Sequence, residues 1–289
     1  MPLNQACLGK TYPSITSTVT LEAMQTYARA CNDTNPRYFD AAVPGGIVAP
    51  PMFAVVVTWL SAITALTDTE LQADLLRLLH VAQDIEFLAP IHAGDTIVST
   101  ARIAAIETHQ SGQTMALELH AHDARGAPVT RIVFTALIRG RRAAVLPSEA
   151  RPDEAGAADA GVSGAPVATV AQTIDRDQTV RYAEASGDRN PIHVDPNVAK
   201  MAGLPGIIVH GLCTMAFTAR AIVDCVCGGD PVRLKRLAVS FARPVLPGDT
   251  ITTRIWPAGD RENRHAFTFA TTNPAGLVVI RGGLADVNP

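Results

Sequence analysis

The sequence predicts an α+β protein in which one plan is written twice, each copy setting a single apolar helix against an antiparallel sheet. Two repeated phrases and one repeated spacing carry this reading. Asp33-Thr34-Asn35-Pro36 returns as Asp188-Arg189-Asn190-Pro191, 155 residues further on. The run from Phe87 to Ile97 returns from Phe241 to Ile251 at an offset of 154. Between these anchors each copy holds one long apolar stretch, and self-similarity at so wide a spacing marks two related units, each large enough for a core of its own.

Each copy opens with a short helix that stops where Asp, Asn and Pro gather, because Pro36 and Pro191 bias the residues before them away from helical angles. Gly187 reinforces the stop in the second copy. The apolar helices follow, from Pro51 to about Leu66 and from Gly211 to about Cys227. Apolar on nearly every side, each needs cover all round, which a curved sheet wrapping it supplies. The stretch from Ile47 to Leu66 approaches the length of a membrane span, but Pro50 and Pro51 cut it short and no Lys or Arg cluster flanks it. A helix buried in protein is expected there. Phe87 to Ile97 and Phe241 to Ile251 read as a strand entering a Gly-Asp turn and leaving as another strand. Alternating runs such as Met115 to Ala124 and His265 to Asn273 complete each sheet with half-buried antiparallel strands.

The residues from Ala143 to Pro166 are rich in Ala, Gly, Pro and acid and lack an apolar period, the composition of a linker. The expected domains are therefore 1–142, a linker over 143–168, and 169–289. The offset is not constant. With Ile47-Val48-Ala49 set against Ile208-Val209-His210 it becomes 161, so the first copy has six fewer residues between turn and helix. It regains seven before its Gly-Asp turn, around the segment Thr67 to His80.

An apolar fraction of 47%, a charged fraction of 18% and a formal charge of −3 are those of a soluble globular protein without broad attraction to phosphate polymers or acidic lipid. Neither nucleic acid nor membrane is an expected partner. The five cysteines have no metal-type spacing, and Cys225-Val-Cys227 alternates inside an apolar run, so buried free thiols in a reducing compartment are expected. The chain starts without a basic, then apolar, leader, which makes the cytoplasm the default location.

Chemistry gathers in the second copy. Asp188 and His193 are two proton-handling groups on one irregular turn, able to bear on a single water, and Asn190 has the donors and acceptor to fix the loop or the carboxylate. The plainer alternative is that Asp188 and Asn190 bond their own backbone, as these residues do in turns. One His with two carboxylate-type neighbours lacks the ligand count of a closed zinc site and no second His stands at i, i+4; His210 could in principle complete a site, but no metal is expected. Gly211 stands in the first turn of the apolar helix, where backbone N–H groups lack partners and the helix dipole is positive, a place to hold an oxyanion. Its alternative is a packing glycine. In the first copy Tyr38 stands where His193 stands, Ala49 replaces His210 and Pro50 replaces Gly211. Residues 1–142 are thus expected to be non-catalytic and to wall the substrate site.

The run Tyr182, Gly187-Asp188-x-Asn190-Pro191-Ile192-His193, Gly206 to Gly211 and Arg243-Pro244-x-x-Pro247-Gly248-Asp249 resembles the MaoC-like, R-specific enoyl-CoA hydratase family. The first copy resembles the degenerate N-terminal partner in that superfamily. The resemblance implies a double hot-dog fold: two antiparallel sheets, each wrapped around a long apolar helix, with the halves paired as a pseudo-dimer. A homodimer of such chains is a further expectation. It implies that Asp188 and His193 are the catalytic pair, that Asn190 positions them, and that Gly211, with His210 beside it, binds the substrate thioester. It implies reversible hydration of a trans-2-enoyl-CoA to a 3R-hydroxyacyl-CoA without a cofactor, since CoA is part of the substrate. Arg233, Lys235, Arg236 and Arg243 are open to two readings, CoA phosphate contacts or solvated charges. The same fold carries thioesterases and acyl-CoA-binding proteins without chemistry; the Asp-x-Asn-Pro-x-His phrase favours hydration, since a thioesterase would not need a His three residues after the Asn and the basic helix-turn-helix pattern usual in an acyl-CoA sensor does not appear.

Overall fold

In both halves a short strand leads into a helix, and the chain leaves that helix through a left-handed residue. In the first, α1 spans Leu21–Ala30, capped by Thr20, whose hydroxyl accepts the Ala23 N–H at 3.1 Å. Asn32 follows with φ +54°, and a single 3₁₀ turn, Pro36–Tyr38, completes the reversal. A computed structural model describes residues 2–140 and 164–289, so most of the expected linker lies outside the described residues. In the second half α3, Gln178–Ser186, ends at Gly187 with φ +80°, and the 3₁₀ turn is Pro191–His193.

Each half then runs into its central helix. α2 spans Ala54–Leu66 after a 3₁₀ turn over Pro51–Phe53, where Pro suits a helix start because its missing N–H would have no partner there. Val55, Val56 and Val57 are poor helix formers in isolation, so burial decides the conformation rather than propensity. The second half carries an extra short helix, α4 (Pro196–Met201), before its central helix α5 (Gly211–Val226). That insertion is the six-residue difference between the copies.

Ten strands make one sheet. They are β1 (Ile15–Thr18), β2 (Leu78–Phe87), β3 (Thr96–His109), β4 (Gly112–Asp123) and β5 (Pro128–Arg139) in the first half. In the second they are β6 (Ala168–Thr173), β7 (Leu234–Phe241), β8 (Thr250–Arg261), β9 (Arg264–Thr272) and β10 (Val278–Val287). The order is β1-β3-β4-β5-β2-β7-β10-β9-β8-β6, the second five repeating the first in mirror sequence. The two expected sheets are therefore continuous: β2 and β7 pair antiparallel from Ala82 opposite Ser240 to Glu86 opposite Arg236. Side chains along β4 alternate between buried and half-buried, the period of a sheet with one face on a core. That core also crosses between the halves. Tyr27, Phe53, Tyr182, Leu212 and Phe217 belong to one buried cluster, so the chain has a shared core where the repeat alone suggested two.

Cys7, Cys31, Cys213 and Cys227 are buried free thiols, whereas Cys225 is exposed. Cys225 is on the last turn of α5 and Cys227 caps it, and residues two apart on a helix fall on different faces.

Candidate active site

The site starts from the stop of α3. Gly187 is left-handed, and a Cβ added to it would stand 3.2 Å from the Trp59 ring, so no other residue fits without movement. The Asp188 carboxylate turns back to accept the Asn190 N–H at 3.1 Å, and the Asn190 side chain accepts the Ile192 N–H at 3.3 Å. The first half makes the same pair of bonds: Asp33 accepts the Asn35 N–H at 3.1 Å and Asn35 accepts the Arg37 N–H at 2.9 Å. Turn formation therefore accounts for the shared Asp-x-Asn-Pro phrase in both halves. The chemical difference lies in what stands beside it.

Beside Asp188 stands His193. Its Nδ1–H donates to the Ile208 carbonyl at 2.8 Å, which fixes the neutral tautomer and leaves the Nε2 lone pair free to take a proton. Burial pushes His193 below its ordinary 6.5, opposed by the pull of Asp188, and burial pushes Asp188 above 3.8, opposed by the pull of His193. Ligand-type atoms of Asp188, His193 and His210 all lie within 4.8 Å of one another. The two imidazoles stack, with centroids 3.8 Å apart and planes 27° from parallel. Lone pairs lie in the ring planes, so those of stacked rings run side by side, an arrangement suited to packing rather than to sharing one cation.

His210 holds the turn from behind. It is 1% exposed, does not line the cavity, and donates its Nε2–H to the Asp188 carbonyl at 3.0 Å. Burial and the neighbouring His193 hold it down at about 2, so it stays neutral. The substrate contact expected of His210 is thus replaced by support of Asp188. Gly211 does line the cavity, at the first turn of α5, and its missing Cβ would stand 3.3 Å from the Phe241 ring. Close packing and an available N–H coexist there.

The cavity these residues line has a volume of about 560 Å³. From the second half Ile208, Val209, Leu212 and Val245 contribute to its wall. The first half contributes Trp59, Ile63 and Leu66 on α2, Leu75, Leu76, Leu78 and Leu79 before and within β2, and Phe134 and Leu137 on β5. The sequence singled out the extra segment around Thr67 to His80, but neither Trp59 nor a role for the His80 side chain. His80 lies between the rings of Phe134 and Phe241, at 4.0 and 4.8 Å, and donates Nε2–H to the Ala82 carbonyl. Burial lowers it to about 4.

Of the four cationic residues proposed for phosphate, Arg243 alone lines this cavity, and it donates to the Val278 carbonyl at 3.2 Å. Arg236 grips Asp84 across the β2–β7 junction with bonds of 2.9 and 2.7 Å. Arg233 donates to the carbonyls of Asn288 and Cys227. Lys235 borders a separate small pocket beside Pro50 and Pro51. These three are placed apart from the Asp188 cavity, and the exposed Arg189 lines it instead.

Residues 159–277 match the MaoC like domain, and residues 6–132 match the FAS1-like dehydratase domain region. A probable enoyl-CoA hydratase 2 of Dictyostelium discoideum is 31% identical over 232 residues, which cover 76% of this chain and 73% of that protein. The peroxisomal multifunctional enzyme type 2 of Drosophila melanogaster is 29% identical over 86% of this chain, but the match spans only 40% of that longer protein. Among solved structures, a MaoC-like dehydratase from Phytophthora capsici superposes with a TM-score of 0.82 at 24% identity, covering 100% of this chain and 98% of that one.

Proposed function

The chain belongs to the MaoC-like dehydratase family, and we propose that it adds water to the double bond of a trans-2-enoyl-CoA thioester, giving the 3R-hydroxyacyl-CoA, and runs the reverse dehydration by the same path. The observation that carries this is the meeting of Asp188 and a tautomer-fixed, neutral His193 on the wall of an apolar cavity that also receives the N-terminus of α5. Asp188 and His193 hold one water. Its oxygen bonds to C3, one of its protons passes to the pair, and the pair delivers a proton to C2, so both parts of the water come from one side. The electron pair of the double bond moves toward the thioester oxygen and returns to C2 as the proton arrives. The Gly211 N–H stabilises the charge on that oxygen, an effect worth about 3 kcal/mol in comparable sites. The chemistry as written takes no cofactor.

The volume and the apolar side chains of the cavity support a long or bulky apolar acyl group. Leu66, Leu75, Leu76 and Leu137 offer nothing to a second carboxylate, which would be desolvated there at high cost. No helix among the described residues is long and apolar enough to cross a membrane. The free thiols support a reducing compartment, which we take to be the cytoplasm. Pairing of two chains predicts about twice the 30.5 kDa chain mass in light scattering; the single-chain mass removes that expectation.

Purified protein is tested with enoyl-CoA substrates of four to sixteen carbons. Loss of the enoyl absorbance without free thiol is expected, fastest for the longer chains. Free thiol release would instead establish a thioesterase, and neither signal would leave a binding protein.

A further inference from the structure

The half without the catalytic pair still reaches the catalytic turn. Trp59, on α2, donates its Nε1–H to the Gly187 carbonyl at 3.0 Å. That carbonyl belongs to the peptide entering Asp188. The next carbonyl, that of Asp188 itself, takes the Nε2–H of His210 at 3.0 Å. The peptides on either side of the Asp188 Cα are therefore held from opposite halves, one by each. The N–H of the peptide entering Asp188 is held within its own half, by Ser186 Oγ at 3.2 Å, so the Trp59 bond is what fixes the carbonyl end of that peptide beside Gly187, whose backbone has the widest rotational freedom of any residue type.

The same bond appears a second time, with the halves exchanged. Arg220, on α5, donates Nη1–H to the Asn32 carbonyl at 2.5 Å. Asn32 stands 155 residues before Gly187, the offset of the repeated turn, and Trp59 stands 161 before Arg220, the offset of the helix starts. Both carbonyl residues are left-handed. An indole and a guanidinium thus fill one place in the repeat and make one bond. A contact that persists through so large a change of side chain answers to the turn it holds rather than to local packing.

The geometry points to Trp59 as a positioning residue: its N–H fixes the peptide entering Asp188, so that the carboxyl group meets the water beside His193. This rests on the hydratase reading above. Catalysis of this kind is sensitive to displacements of about 1 Å, so the bond matters more to turnover than to stability.

The test measures kcat and KM for crotonyl-CoA, whose short acyl group makes least use of the cavity wall. Trp59→Phe keeps the ring contact and removes only the donor; kcat should fall about five- to twentyfold with KM within about twofold. Trp59→Arg supplies the donor that the other half uses and should recover most of the lost kcat. An unchanged kcat in Trp59→Phe, or a loss that folded Trp59→Arg does not recover, overturns the proposal. Should Trp59→Arg not fold, Gly187→Ala decides: its Cβ presses on Trp59, and a kcat within about twofold of wild type overturns the proposal. A wild-type protein that hydrates no enoyl-CoA at all sinks the functional reading first, which separates the two failures.

Discussion

Asp188 and Asp33 occupy one place in two copies of a turn, and burial raises the pKa of both, Asp33 to about 6. Only Asp188 has a histidine partner. Asp188→Asn should keep the turn, since the amide oxygen still accepts the Asn190 N–H, and lower kcat by about two to four orders of magnitude, read in a steady-state assay beside a melting curve. Asp33→Asn should act on stability instead. As pH rises through 3.8 the unfolded chain loses the proton first, while the folded chain keeps it until about 6. Asp33 therefore costs stability that grows across this window and is full above it, up to about 3 kcal/mol for a shift of about two units. The substitution should raise the melting temperature at pH 7, leave it unchanged at pH 3.5, and keep turnover within a few-fold. Equal losses of turnover at the two positions would contradict a single site per chain.

The segment before β2 carries the seven residues that the second half lacks, and it forms cavity wall. Leu76 is 72% exposed although it lines the cavity, an apolar side chain with water on one side and the acyl site on the other. Leu76→Asp should leave the melting temperature and crotonyl-CoA kinetics unchanged and raise KM for enoyl-CoAs of twelve or more carbons about tenfold or more. No chain-length dependence of the change would remove this segment from the acyl site. The turns and central helices were legible in the sequence because Pro, Gly and a run apolar on all sides act locally. The repeat also showed which half lacks the histidine. Trp59 and His80 were not legible: each reads as an ordinary member of its own element, and its role comes from a partner half a chain away. The same holds for Arg236, whose cationic pattern suggested phosphate until Asp84 is seen opposite. His210 was legible as important but not in its direction, since the sequence cannot tell a side chain facing substrate from one facing the peptide behind it.

The shared core and the β2–β7 ladder make the two halves one body. A protease site placed within 143–163 and cleaved after folding should leave the halves co-eluting and active, because the shared core and the β2–β7 ladder are built from residues outside that stretch. Stable, separate, inactive fragments would show that the covalent connection is required. The position shared by Trp59 and Arg220 shows what the fusion permits. Neighbouring pairs differ in the same sense: Ile63 faces the acyl cavity, while its counterpart Asp224 borders a polar pocket with Arg220 and Asp230. In a dimer of identical subunits every mutation arrives in duplicate, so a wall cannot turn greasy in one site without doing so in the other. Joined end to end in one gene, the two copies drift separately, and one could give up its chemistry to specialise as the lining of its twin.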